Sequence, residues 1–271
     1  MHRFCDALDE EDYIRLFLRI VPFPLRTGGI PARAGRQMRY RRWYIIGIAK
    51  DINTFAMDLS GIRKEYTRGG LNRRDVPPDP LILFEQWLAT AVGAQEITEP
   101  TAMAVGTVSA DCRPSIRTVL LKELRDGQFV FFTHYESRKG RQLAANPQVA
   151  LSFLWYPLER QVHIEGTAER ISPEESDTYF RSRPPGSRIG AAVSPQSRPI
   201  PGRAWLAEAY EAKLAEAESS DTPVERPEHW GGVAVTPVRI EFWQGRENRL
   251  HDRILYTRQD DGSWRIERLA P

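Results

Sequence analysis

Asp126–Gly127 and Asp261–Gly262 each stand between two runs of strand-forming residues. Asp-Gly is a dipeptide of the shortest hairpin turns, where both central residues adopt positive φ. A turn that short leaves no room for a crossover helix, so the strands it joins are antiparallel. A third turn at Ala110 to Pro114 separates Ala102 to Ser109 from Ser115 to Leu124. Further strands are expected at Phe129 to Thr133, Val149 to Trp155, Gln161 to Ile171, Gly232 to Gln244, Ile254 to Arg258 and Trp264 to Leu269. That makes about seven or eight strands, the fifth alternating clearly through Val162 and Ile164.

Helices fall between groups of strands. Asp79–Pro80 is an N-cap with proline at the first helical position, and Phe84, Trp87, Leu88 and Ala91 follow at helical spacing to about Gln95. Ser137 caps a short cationic helix ending near Asn146–Pro147. Ser172-Pro-Glu-Glu opens another that runs to about Arg183, where Pro184-Pro185-Gly186 breaks it. Ser187 to Arg203 is rich in Ser, Pro and Gly and is expected to be irregular, and Ala204 to Ala217 is a run of strong helix formers. This is not the strict β-α alternation of a doubly wound sheet. The pattern predicts a mainly β, α+β fold, an antiparallel barrel with peripheral helices. Such a barrel has little interior space, so a large ligand belongs on its outside or at a subunit interface.

Composition removes several function classes. The chain of 271 residues carries 38 Lys and Arg against 36 Asp and Glu, a formal net charge of +2 that implies no global polyanion-binding field. No apolar run approaches the roughly 20 residues of a membrane helix. Cys5 and Cys112 are far apart, which excludes a disulfide framework and a cysteine zinc site and fits a cytoplasmic setting. The five histidines are scattered, so no metal is expected, and neither a P-loop nor a G-x-G-x-x-G is found. Residues 1–56 differ from the rest, with an acidic start, no acid between Tyr13 and Lys50, and arginines accumulating at 33, 36, 39, 41 and 42. A targeting peptide and a nucleic-acid arm are both weaker readings than a poorly structured extension, or a start placed too early, with Met57 a natural alternative. The main domain is expected at 57–271.

The chemistry-bearing residues are cations. Arg117-Thr-Val-Leu-Leu-Lys122 is a strand with a cation near each end. Ser137-Arg138-Lys139 places two cations at a helix N-terminus, a good phosphate site by geometry and dipole. Tyr179, Arg183 and Ser187 form a third cluster, Tyr179 and Arg183 one helical turn apart. Glu241 to Arg253 reads E-F-W-Q-G-R-E-N-R-L-H-D-R. If its end is extended, Arg249, His251 and Arg253 face one side, where they repel unless an anion or solvent meets them. No Ser-His-Asp set, carboxylate pair or metal-ligand cluster stands out, so the chemistry belongs to a cofactor that the protein positions.

These segments together resemble the pyridoxamine 5'-phosphate oxidase family. The matching pieces are R-K-E-Y-T-R-G-G-L at 63–71, D-P-L-x-L-F-E-x-W-L at 79–88, R-T-V-L-L-K at 117–122, S-R-K at 137–139, L-E-R-Q-V at 158–162, Y-F-x-S-R-P at 179–184, S-x-Q-S at 194–197, and E-F-W-Q-G, R-L-H-D-R and E-R-L-A-P toward the end. They cover nearly all of the chain after residue 60 in order. The resemblance implies an FMN-binding split β-barrel, homodimeric, with FMN at the subunit interface. By position, FMN contacts fall on Arg117, Thr118, Val119, Leu120, Leu121, Lys122, Phe132, Thr133, Arg138, Lys139, Gln161, Gln196, Ser197, Trp243 and Arg253. The substrate phosphate falls to Lys122, Tyr179, Arg183 and Ser187, and its ring to Arg249, Leu250 and His251. Arg63, Lys64, Glu65 and Tyr66 are expected to fold over the substrate as a lid, and Arg249 and His251 to be catalytic. Lys64 stands where the family commonly has arginine, and Ala192 where it can have tryptophan.

The implied reaction is oxidation of pyridoxamine 5'-phosphate or pyridoxine 5'-phosphate to pyridoxal 5'-phosphate, with dioxygen reduced to hydrogen peroxide. Three competitors differ in class. A nicotinamide-dependent flavin reductase would not need the Tyr179, Arg183 and Ser187 cluster. A flavin or pyridoxal phosphate carrier would make no peroxide, and a nucleic-acid-binding protein would rest only on the N-terminal arginines.

Overall fold

In chain order the strands are β1 (Ala102–Val108), β2 (Pro114–Leu120), β3 (Glu123–Arg125), β4 (Gln128–His134), β5 (Gln148–Trp155), β6 (Arg160–Arg170), β7 (Trp230–Gln244), β8 (Asp252–Arg258) and β9 (Trp264–Leu269). This is a computed structural model, and it describes residue 61, residues 65–220 and residues 223–271. The chain divides into Met1–Ile62 and Arg63–Pro271, and only the second unit is treated below. The readings of residues 1–56, and of Arg63 and Lys64 as lid residues, lie outside the described residues.

The sheet runs β2-β1-β5-β6-β7-β4-β3, with β8 on β7 and β9 on β8, and every pairing is antiparallel. β2 and β3 stand at opposite ends of that path yet are separated only by Leu121 and Lys122. Leu121 N–H still donates to Thr101 O beside β1, and Lys122 N–H donates to Val130 O on β4, each at 2.9 Å. One short segment therefore leaves the β1 edge and joins the β4 edge, returning the sheet upon itself as a barrel. Sequence pattern alone predicts one strand from Ser115 to Leu124. The structure splits it, because the partner changes in the middle.

β7 organises the other side. Along one edge it pairs with β6; along the other it pairs with β4 through Trp230 to Val235, then with β8 through Arg239 to Gln244. Pro237 falls at the hand-over, where neither edge partner needs the N–H it lacks. Opposite it, β6 shifts register between Glu165 and Gly166. A Cβ on Gly166 would stand 2.4 Å from Thr236 O, so only glycine allows this approach. At the β3–β4 turn, Asp126 and Gly127 have φ of 50° and 78°, as the Asp-Gly signal requires.

Among the described residues five helices flank the sheet: α1 (Pro80–Gly93), α2 (Arg138–Ala145), α3 (Pro173–Ser182), α4 (Pro185–Val193) and α5 (Arg203–Ser220). The expected caps are present. Asp79 accepts from Leu81 N, Ser137 from Gly140 N, and Ser172 and Glu175 form a reciprocal capping box. α4 overturns the expectation of an irregular stretch from Ser187. Pro185 occupies the first turn of a new helix, where its missing N–H is harmless, and Ile189 in the same helix is buried. α1 buries Leu83, Phe84, Trp87 and Ala91. The Phe84 ring meets Phe129 at 4.9 Å and Phe153 at 5.0 Å, both edge-on. Phe84, Phe129, Phe153, Phe242 and Tyr256 are fully buried, so aromatic packing fills the interior and leaves ligand sites to the outside.

Candidate functional site

The first group of cations gathers where β2, β4 and α2 meet. Arg117 reaches Val105 O at 3.0 Å, Thr107 Oγ1 at 2.6 Å and Ser115 Oγ at 2.7 Å. Gln142 of α2 accepts from Thr107 and Ser115, completing the cradle. Lys139 is 8% exposed, and its ammonium donates to Thr133 Oγ1 at 2.8 Å and Gln196 Oε1 at 2.6 Å. α2 can come this close because a Cβ on Gly140 would lie 2.1 Å from Tyr135 O. Every acceptor named here is a neutral oxygen. Burial, then the charge of Arg117, lowers the Lys139 pKa to about 8. Burial, then Arg138, lowers that of Arg117. A buried lysine and a half-buried arginine beside a helix N-terminus, with no carboxylate among these acceptors, make an arrangement suited to an anion.

Alongside it, three aromatic rings lie nearly parallel. Tyr179 stacks on Phe132 at 3.6 Å and 11°, and Phe132 on Trp230 at 5.4 Å and 14°. Arg183 lies over the Trp230 ring at 4.5 Å, and its buried Nη1 has no hydrogen-bond partner. Burial raises the Tyr179 pKa despite the nearby Arg183 charge, so the phenol stays protonated and able to donate. A cleft of about 510 Å³ opens between β3 and α3, lined by Lys122, Phe132, Tyr179 and Ser182 among others. Lys122 is exposed, and so is Ser187 in the first turn of α4. Gln196 and Ser197 follow α4, with Ser197 at φ 69°.

The second group is the R-L-H-D-R stretch, and here the extended reading fails. Glu247–Arg249 is a tight turn, with Asn248 and Arg249 at φ 54° and 61°, and β8 begins only at Asp252. Arg249, His251 and Arg253 therefore do not share one strand face. Arg249 and Leu250 are exposed on the turn. His251 packs against Trp243 at 4.6 Å and Tyr66 at 5.5 Å. Its Nδ1 accepts from Arg246 N–H at 3.1 Å, which puts the proton of the neutral ring on Nε2. Burial, then the charge of Arg249, lowers its pKa, so the ring is a neutral donor near pH 7. Arg253 forms a two-pronged pair with Glu241, at 2.7 and 3.0 Å. Asp252 is structural, accepting from Leu71 N–H and from Arg268. Gln161 pairs across the sheet with Trp243, and Glu65 is exposed beside Tyr66.

The two groups do not meet within one chain. Phe132 pairs with Gly232, and from there to Trp243 β7 advances roughly 36 Å at about 3.3 Å per residue. Among the described residues no hydrogen bond or ring contact links them. The outward faces of β1, β2 and β5 are nevertheless short of charge, with Ala102, Ala104, Gly106, Ala150 and exposed Ile116 (73%) and Leu154 (60%). Thr118 and Leu120 lie on that same outward face. A sheet face this apolar is suited to burial against a partner. The sequence reading missed the supports of the site: Thr107, Ser115 and Gln142 around Arg117, and Trp230 beneath Arg183. Only Trp230 carried a signal, as a large aromatic at the start of a strand.

Residues 90–212 match the family model described as pyridoxamine 5'-phosphate oxidase, and residues 230–271 that described as pyridoxine 5'-phosphate oxidase C-terminal dimerisation region. Pyridoxine/pyridoxamine 5'-phosphate oxidase of Bacteroides fragilis is 60% identical over 220 residues, covering 81% of this chain and 92% of that protein. The one from Chromobacterium violaceum is 53% identical over 216 residues, covering 80% and 100%. Among solved structures, PhzG from Burkholderia lata, in complex with tetrahydrophenazine-1-carboxylic acid, gives a TM-score of 0.68 at 30% identity, covering 74% of this chain and 98% of that one. A pyridoxamine 5'-phosphate oxidase-related, FMN binding protein from Nostoc punctiforme gives 0.58 at 20% identity, covering 69% and 97%, a likeness of fold.

Proposed function

Because the chain belongs to the pyridoxamine 5'-phosphate oxidase family and has its split-barrel fold, we propose that it oxidises pyridoxamine 5'-phosphate and pyridoxine 5'-phosphate to pyridoxal 5'-phosphate, with FMN as cofactor and two copies forming each site. Dioxygen leaves as hydrogen peroxide; the amine substrate also takes up water and releases ammonia. The observation that carries this reading is the pair of neighbouring cations, buried Lys139 in the first turn of α2 and half-buried Arg117 on β2, held only by neutral acceptors. Bound there, FMN supplies the hydride acceptor and returns the electrons to dioxygen.

The protein's own share is binding, orientation and charge. Arg117, Arg138 and Lys139 hold the cofactor phosphate, while Thr118 to Lys122, Phe132, Thr133, Gln196 and Ser197 line its path. Lys122, Tyr179, Arg183 and Ser187 take the substrate phosphate. The Phe132–Tyr179–Trp230 stack fixes the two central groups before substrate arrives, which lowers the ordering cost of binding. Arg249, His251 and Tyr66 lie beyond the far end of β7 in the same chain, so they serve the site of the other copy, together with Gln161, Trp243 and Arg253. His251 donates from Nε2 to the substrate and orients it, and Arg249 adds positive charge beside it.

Purified protein with a flavin absorbance spectrum, given pyridoxine 5'-phosphate in air, is expected to form pyridoxal 5'-phosphate and peroxide in equal amounts. Flavin retention without either product would mean a carrier, and turnover only with a nicotinamide donor would mean a reductase.

A further inference from the structure

Segment 65–71 is tied to the rest of the protein by four backbone hydrogen bonds, each to a charged side chain. Arg68 N–H donates to Glu159 Oε2 at 3.0 Å, and Leu71 N–H to Asp252 Oδ2 at 2.9 Å. Leu71 O accepts from Arg268 Nη2, and Gly69 O from Arg246 Nη1, each at 2.8 Å. Arg246 is unlike the other three anchors, because its own backbone N–H is the group that donates to His251 Nδ1. The residue before it also shapes the contact. A Cβ on Gly245 would come within 2.8 Å of the Tyr66 ring, whose edge faces Trp243 and His251.

The approach is close on the segment's side too. A Cβ on Gly70 would stand 2.7 Å from Arg246 Nη1. The Arg246–Asp252 ion pair, at 3.7 Å and half exposed, contributes little. The carbonyl of Gly69 is therefore the main hold on the guanidinium. Through the turn at Glu247–Arg249 the chain folds back, so the orientation of the Arg246 peptide sets which nitrogen of His251 is occupied. Without that N–H, the neutral imidazole is free to carry its proton on either nitrogen.

We propose that Arg246 is a positioning residue: by gripping the carbonyl of Gly69 it couples the seating of segment 65–71 to the tautomer and orientation of His251. A seated segment then presents Nε2–H to the substrate, and an unseated one does not. The proposal rests on the reading of His251 as a substrate-facing donor, and the experiment separates the two. The flavin-loaded full-length homodimer, labelled with ¹⁵N-histidine, is compared by NMR with Arg246→Met, Arg246→Lys and Gly70→Ala; His251→Asn assigns the His251 signals.

The wild type is expected to show the Nε2–H pattern. Arg246→Met and Gly70→Ala should show a rise in the Nδ1–H form and a fall in kcat of roughly tenfold, at unchanged flavin content. Arg246→Lys, which keeps a donor for Gly69 O, should recover most of both. An unchanged His251 pattern in both Arg246→Met and Gly70→Ala overturns the coupling. A changed pattern with wild-type turnover upholds the coupling and overturns the substrate-facing role of His251. Gly70→Ala retains the arginine, so the test survives if Arg246→Met fails to fold.

Discussion

Lys139→Met is expected to make the flavin-free protein more stable and the flavin complex weaker. Lys139 is 8% exposed, and its pKa falls from the model-compound 10.5 to about 8. At 1.36 kcal/mol per unit, folding carries roughly 3 kcal/mol of unfavourable charge burial near pH 7. Its bonds to Thr133 and Gln196 return about 1 to 2 kcal/mol. Removing the ammonium therefore leaves a net gain of roughly 1 to 2 kcal/mol, or about 3–6 °C in Tm for a domain of this size. The sign with pH follows. The folded-state pKa lies below the unfolded one, so between about 8 and 10.5 the unfolded chain binds more protons, and stability rises with pH. Thermal unfolding of flavin-free wild type should thus show Lys139-linked stabilisation over that window, absent from Lys139→Met. Added FMN should reverse the order, since the variant forfeits a charge-assisted bond worth about 1.5–3 kcal/mol, roughly ten- to a hundredfold in Kd. A flavin-free variant that is less stable than wild type at pH 7, or that binds FMN equally well, would refute the reasoning.

Arg183→Ala should raise KM for pyridoxine 5'-phosphate about ten- to a hundredfold with kcat nearly constant, because the phosphate is held alike in ground and transition states; steady-state kinetics at several substrate concentrations decide it. Arg249→Met should lower kcat far more than flavin content, and equal loss of both would remove the residue from the substrate side. Phe84→Ala empties a fully buried position against Phe129 and Phe153 and should cost about 3–5 kcal/mol in urea unfolding. Gly140→Ala places a Cβ against Tyr135 O and should weaken flavin retention by moving Lys139, read from the absorbance of the purified protein.

Local rules accounted for much of the fold. The caps at Asp79, Ser137 and Ser172 and the tight turn at Asp126–Gly127 depend on groups within a few residues, so they were legible; Asp261–Gly262 also marks a turn, but only Gly262 takes positive φ there, in a five-residue loop. Pro185 shows where local reading is ambiguous: Pro-Pro-Gly both ends α3 and starts α4, and only burial of Ile189 selects the helix. The same limit applied at Arg249 to Arg253. Alternation gave one face for three residues only on the premise of extended backbone, and left-handed conformations at Asn248 and Arg249 remove that premise.

By itself the sequence determined an antiparallel, helix-flanked sheet with its cations in a few short clusters. Turn length and side-chain period carry that information without reference to distant residues. Tertiary structure alone decided how the clusters combine. Strand closure through Leu121 and Lys122 sets Arg117 against α2, where burial makes Lys139 a cation in want of an anion. The long strand β7 holds the other cluster roughly 36 Å along its length from the first. Such proximity depends on pairings between residues remote in sequence, and no local pattern encodes those.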